Sequence, residues 1–262
     1  MYYLDSEKSI IKHFQMVNPK SVCFFNENKK SIKVFESIHN QENWKQWIDS
    51  AGKSDPPPDF FSDTYKYMME VMRVDDHSFK NRKGKVVNPT NSHIRDVEKE
   101  IVQSGIMEIC PNAELMINAF TNLPTDEDHN YRYYYKNFAR VVEHHKKRID
   151  LYKKNHPNYK VIFFIMDESS GYFKAEGIND ITKEKKIGGM TLGTPHFHFM
   201  DNKFIRVFEN SDIDYLIWYT PFKSINTTVG KIDLPKVCVY DIKIPVKQCM
   251  EYDEKYMISA EI

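Results

Sequence analysis

Residues 159–166, Tyr-Lys-Val-Ile-Phe-Phe-Ile-Met, constrain the fold of this chain more than any other segment. Their β-branched and aromatic side chains suit a pleated surface. The run is far short of the roughly 20 apolar residues that a membrane-crossing helix needs. It is also too continuously apolar for a strand with one face in water, so it belongs at the centre of a sheet covered on both sides. Immediately before it, His156-Pro157 ends a helical pattern over residues 131–155, because proline cannot continue a helix. A long helix running into a buried strand is the building unit of an α/β fold.

The rest of the chain extends that alternation. Residues 65–74 read as a mostly apolar strand. Residues 91–104 read as a helix with Ile94, Val97 and Ile101 at helical spacing and Gly105 as its stop, and residues 114–121 as a further strand. Residues 202–210 form a short helix, and residues 213–219 and 236–242 two apolar strands. Near the start, residues 21–25 and 31–35 read as short strands joined by a polar turn. A helix capped by Asn40 follows, with Trp44, Trp47 and Ile48 on one face and Gly52 at its end. Residues 53–59 hold three consecutive prolines and are extended. Residues 169–195 hold Gly171, Gly177, Gly188, Gly189 and Gly193, the composition of a hairpin or flap.

The expected fold class is therefore α/β, with a single central mixed, largely parallel sheet flanked by helices. At 262 residues, one large domain over 1–262 fits better than two. Its parts are N-terminal strands and helix (1–52), a core (53–168), a flap or insertion (169–200) and C-terminal strands (201–262).

Composition narrows the function. Lys+Arg and Asp+Glu are 37 each, a balance that argues against non-specific coating of nucleic acid and leaves room for a local basic groove. Cys23, Cys110, Cys238 and Cys249 are scattered without a CxxC pair, as expected of reduced thiols in the cytoplasm. The N-terminal residues lack the order of a secretory signal, and no apolar run is long enough for a membrane span. P-loop, GxGxxG, GxSxG and HExxH motifs are all absent from the sequence.

The most suggestive chemistry lies in Pro58-Asp59, then ten residues, then Glu70-Val71-Met72. Two carboxylates converging from neighbouring strands can hold Mg²⁺ or Mn²⁺, hard cations that take oxygen ligands. The pattern resembles the PD-(D/E)XK, or restriction-endonuclease-like, nuclease superfamily, which has an Asp after Pro and a second carboxylate on the following strand. The resemblance implies a metal-dependent nuclease or phosphodiesterase acting on nucleic acid, with Asp59 and Glu70 as metal ligands and His77 near the substrate. It also implies a restriction-endonuclease-like core in which strand 65–74, helix 91–104 and strand 114–121 follow one another. The family's lysine would stand at position 72, which here is Met72. Arg73 is charged, but strand alternation points it to the other face. Lys66 shares the face of Glu70 at four residues, roughly 13 Å of strand. The alternative is a catalytically inactive binding or regulatory protein on the same scaffold. Oligomeric state is open, a homodimer included.

Other constellations compete. Asp233, then seven residues, then Asp241-Ile242-Lys243 keeps a lysine but lacks the proline. Asp75-Asp76-His77 and Asp167-Glu168 each follow an apolar strand, and Asp126–His129 follows another. If those strands run parallel, all three clusters share the edge where α/β sheets bind ligands, although turn-forming residues also gather there. His196-Phe197-His198 sets two imidazoles on one face of a strand, with no third and fourth zinc ligand at suitable spacing. Glu143, His144 and His145, among Lys146, Lys147 and Arg148, read as a solvated helix face, and with Arg140 they could line a phosphate-binding groove.

Overall fold

The computed structural model describes residues 6–25, 28–50, 58–77, 79–80, 86–87, 96, 99–101, 103–109, 129–176, 193–227 and 230–260. The first helix, α1 (Glu7–Phe14), opens on a capping box in which Ser6 and Ser9 exchange side-chain and backbone hydrogen bonds. It buries Ile10, Ile11 and Phe14. After β1 (Val22–Phe25), a second capping box formed by Asn28 and Ser31 opens α2 (Lys29–His39). Residues 31–35 are therefore helical, not a strand. Ser31, Val34, Phe35 and Ile38 lie on one buried helical stripe, and that spacing appears only when the window runs past Phe35. Asn40 does cap a helix, α3 (Gln41–Trp44), but it is a single turn, and the chain becomes extended at β2 (Ile48–Asp49).

Next come β3 (Phe60–Ser62), β4 (Tyr67–Val74), the short pair β5 (Phe79–Lys80) and β6 (Val86–Val87), and α4 (Ile106–Ile109). Of the expected helix 91–104, residues 96, 99–101 and 103 are described and helical; the strand expected at 114–121 lies outside the described residues. The helix expected over 131–155 is two helices, α5 (Tyr131–Lys146) and α6 (Ile149–Asn155), broken at Lys147-Arg148 with neither Gly nor Pro to mark the break. The chain continues through β7 (Lys160–Asp167), β8 (Tyr172–Ala175), β9 (Gly193–Pro195) and α7 (Asn202–Ile205). It ends with β10 (Tyr215–Tyr219), β11 (Ser224–Thr227), β12 (Gly230–Asp233), β13 (Val237–Asp241) and β14 (Met257–Ser259).

Seven strands form the main sheet in the order β1-β13-β10-β7-β4-β3-β2, with β7 at its centre. Pairs β1/β13, β10/β7 and β7/β4 are parallel. Pairs β13/β10, β4/β3 and β3/β2 are antiparallel, so the sheet is evenly mixed rather than largely parallel. Alternation along β7 sends Val161, Phe163 and Ile165 into a core with Tyr134, Phe138 and Tyr152 of α5 and α6. Ile162, Phe164 and Met166 go to the opposite core, with Ile11 and Phe14 of α1 and Val34 and Ile38 of α2. Both faces are thus covered, which is why β7 tolerates no polar residue between Val161 and Met166. The ends of the glycine-rich stretch pair with each other, β8 to β9, and β14 adds to the other side of β8 as a separate three-stranded sheet. No helix among the described residues is long and apolar enough to cross a membrane.

Candidate metal centre

Asp59 stands one residue before β3. Phe60 pairs with Met69 and Phe61 with Met68, so the antiparallel register carried back one residue sets Asp59 across from Glu70. Asp59 Oδ2 accepts the Val71 N–H at 2.7 Å. Burial, and then the charge of Glu70, push the Asp59 carboxyl up to about 7 against the pull of that hydrogen bond. Glu70 is 4% exposed. Its Oε1 accepts the Tyr152 hydroxyl at 2.8 Å and meets His145 Nδ1 at 2.7 Å, while its Oε2 is buried with no hydrogen-bond partner. Among the described residues neither carboxylate has a lysine or arginine ion pair.

The cations expected to replace the family's lysine are engaged elsewhere. Lys66, on a left-handed backbone with φ 56°, donates to the Tyr159 hydroxyl at 3.3 Å and lies over that ring. Arg73 forks onto Glu168 at 2.8 and 3.0 Å. Met72 is buried in the core beneath α5. The basic side chain that does reach Glu70 is His145, read from sequence as part of a solvated face. Its neighbour Glu143 is on that face, paired with Lys146. His145 and Tyr152 lie on opposite sides of the break at Lys147-Arg148, so no single helical face in the sequence pairs them.

The second concentration of polar groups is at the carboxyl edge of the parallel strands. Val74 pairs with Asp167, so Asp75, Asp76 and His77 leave β4 beside Glu168, Ser169 and Ser170 leaving β7. Two of the three acidic clusters do share that edge. Asp126, Glu127 and Asp128 lie outside the described residues, but His129 reaches it on a left-handed backbone with φ 51°. Asp76 is fully buried. Its Oδ1 is 3.2 Å from His129 Nδ1, and its Oδ2 accepts the Ser170 N–H at 2.9 Å and the Tyr172 hydroxyl at 2.6 Å. Burial alone would raise this carboxyl. The hydrogen bond and charge of His129, the charge of His77 and the Tyr172 hydroxyl outweigh it and hold Asp76 well below the usual carboxylate range. His77 and His129 meet edge to face at 4.6 Å.

Asp167, also buried, accepts the Tyr134 hydroxyl at 2.5 Å, the Trp218 indole N–H at 2.9 Å and the Ser169 N–H at 2.9 Å. Lys223 completes the group. It is 2% exposed, 3.3 Å from Asp167 Oδ2, and donates to the Ser169 hydroxyl and, at 3.2 Å, to the Ser170 carbonyl. Nothing in sequence pointed to Lys223, because its partners come from α5, from the end of β7 and from the residues just after β7.

The remaining sequence candidates fall apart. His196 and His198 do not share a strand face: β9 ends at Pro195 and His198 begins a 3₁₀ turn. His196 Nε2 is 2.8 Å from Asp201 Oδ2, whereas both ring nitrogens of His198 are buried without a partner. Asp233 lies in the β11–β12 hairpin and Asp241 in the main sheet, while Lys243 donates to the Ser211 carbonyl, so that set does not converge. No protein-family model, curated protein or solved structure matches this chain.

Proposed function

We propose that the chain is a divergent metal-dependent phosphodiesterase acting on nucleic acid, with Asp59 and Glu70 as ligands to Mg²⁺ or Mn²⁺. The observation that carries the reading is the state of these two carboxylates. They oppose each other across β3 and β4 with no lysine or arginine ion pair among the described residues, one is pushed up to about 7, and the other keeps a buried oxygen without a hydrogen-bond partner. A hard cation fits that donor set. The resemblance to PD-(D/E)XK nucleases asks for an Asp and a carboxylate on the following strand, which agrees with Asp59 just before β3 and Glu70 on β4. Tyr152 and His145 hold Glu70 Oε1 and leave Oε2 to the ion, while the Val71 N–H orients Asp59; such outer partners fix ligand direction. When bound, the ion would activate a water and stabilise charge on the phosphate.

A second reading, binding without catalysis, is favoured by one observation: Met72 is buried, and both Lys66 and Arg73 are committed elsewhere. The two separate experimentally. Millimolar Mg²⁺ or Mn²⁺ should raise the Tm of the native chain and do little for Asp59→Asn or Glu70→Gln, because only the native pair gains a ligand on folding. The same ions should support cleavage of DNA or RNA that both substitutions abolish. A Tm response without cleavage selects the binding reading. No Tm response removes the metal site.

A further inference from the structure

At the carboxyl edge of β4, the ligand atoms of Asp76, His77 and His129 all lie within 4.8 Å of one another. We propose that these three residues form a second metal site, for a divalent transition ion of the Zn²⁺ class. The donor set separates it from the carboxylate pair. Two imidazoles and one carboxylate suit zinc and its neighbours in the first transition row, whereas Mg²⁺ prefers oxygen.

The geometry fits in three respects. Asp76 Oδ1 and His129 Nδ1 are 3.2 Å apart, near the roughly 3.4 Å that separates two ligands of a tetrahedral zinc with bonds of about 2.1 Å. The two imidazoles meet edge to face rather than stacked, so each ring can turn a lone pair toward a shared centre. Asp76 is also held from behind: Tyr172 and the Ser170 N–H both take Oδ2, which commits Oδ1 to the histidine side. Partners of that kind set ligand orientation in metal sites. Ligation through Nδ1 exchanges the contacts of His129 with Asp76 and Ser170 for the ion and needs the ring proton on Nε2, so a protonated imidazole gives up one proton to solvent as the ion enters. Three protein ligands leave a coordination position open, the pattern of ions that act on a bound water rather than as structural clips. Ser170 Oγ, 2.6 Å from His129 Nδ1, adjoins the ligand atoms.

The test uses the full chain, stripped with a chelator and titrated with Co²⁺ and then Zn²⁺. One equivalent of Co²⁺ should give a visible d–d spectrum, survive millimolar Mg²⁺ and be displaced by Zn²⁺. Its paramagnetic NMR spectrum should show exchangeable imidazole N–H resonances from two histidines. His77→Ala and His129→Ala, checked for native circular dichroism, should lose the spectrum. Tyr172→Phe should weaken binding about 10- to 100-fold, and Glu70→Gln should leave it intact. No stoichiometric Co²⁺, a Co²⁺ spectrum without imidazole resonances, or binding unchanged in both histidine variants would overturn the site. Binding abolished by Glu70→Gln would move the ion to the carboxylate pair and overturn it as well. Failure here leaves the Mg²⁺-dependent Tm response untouched, because that response depends on Asp59 and Glu70.

Discussion

Lys223 is ion-paired to Asp167 at 3.3 Å with both side chains out of water, beneath the turn that carries Ser169 and Ser170. A buried pair costs much of its attraction in desolvation, so its removal as a pair is mild and its breakage is severe. Lys223→Met should therefore cost about 3–5 kcal/mol by leaving the Asp167 charge uncompensated. Lys223→Met with Asp167→Asn should cost clearly less than the single change. Urea denaturation of the four members of that cycle measures the coupling, and additive losses would contradict it.

Tyr152 ties α6 to the sheet through its hydroxyl on Glu70 Oε1. Tyr152→Phe keeps the ring and removes the donor, leaving Glu70 Oε1 with His145 alone and Oε2 still without a partner. A loss of about 1–3 kcal/mol is expected in metal-free buffer. Glu70→Gln should shrink that loss. Equal Tyr152→Phe penalties in both backgrounds would show that the hydroxyl acts elsewhere.

His198 is fully buried against Trp218, and burial, then the charges of Lys223 and His196, hold it well below its ordinary value. The native chain keeps this imidazole neutral, while the unfolded chain protonates it below about 6.5. Its contribution to stability is thus fully present above pH 6.5 and lost as pH falls, because the unfolded state then binds the extra proton. His198→Leu should flatten the fall in stability between pH 6.5 and 5. It should also raise the Tm at pH 7.5, since two unpartnered nitrogens leave the core. An unchanged pH slope would mean that the ring finds a partner in solution.

Gly171 joins β7 to β8 under the β11 strand. A Cβ there would meet the Ser224 carbonyl oxygen at 2.2 Å and Ile225 Cγ1 at 2.9 Å. Gly171→Ala must therefore push β11 away, with a cost of about 1–3 kcal/mol of the overpacking kind. Native-state hydrogen exchange should quicken at the Ala260 N–H, which donates to the Gly171 carbonyl. Exchange and Tm equal to wild type would show that the two segments separate freely.

What could be read in sequence follows physical range. The central strand, its parallel neighbour β4 and the strands β10 and β13 were visible because each is a local apolar run. Residues 31–35 misled because a five-residue window holding Ile32, Val34 and Phe35 satisfies strand alternation, while the helical stripe needs Ile38 to appear. Asp59, Glu70, Asp76 and Asp167 were identifiable as strand-end or strand-borne carboxylates. Their partners were not: Tyr134, His145, Tyr152, Tyr172 and Lys223 arrive from distant segments, and only the sheet order brings them together.

The edge strand β1 carries a consequence for synthesis. Its partner in the sheet is β13, in the register Val22 to Val237, 215 positions along the chain. At ordinary ribosomal rates the nascent chain exposes Val22–Phe25 for roughly 10–45 seconds before that partner emerges. During this interval α1 and α2 have no completed sheet to cover, and their apolar stripes are open to other nascent chains. A stop codon before Val237 would then yield a product missing the strand that anchors its own beginning, a natural client for holding chaperones.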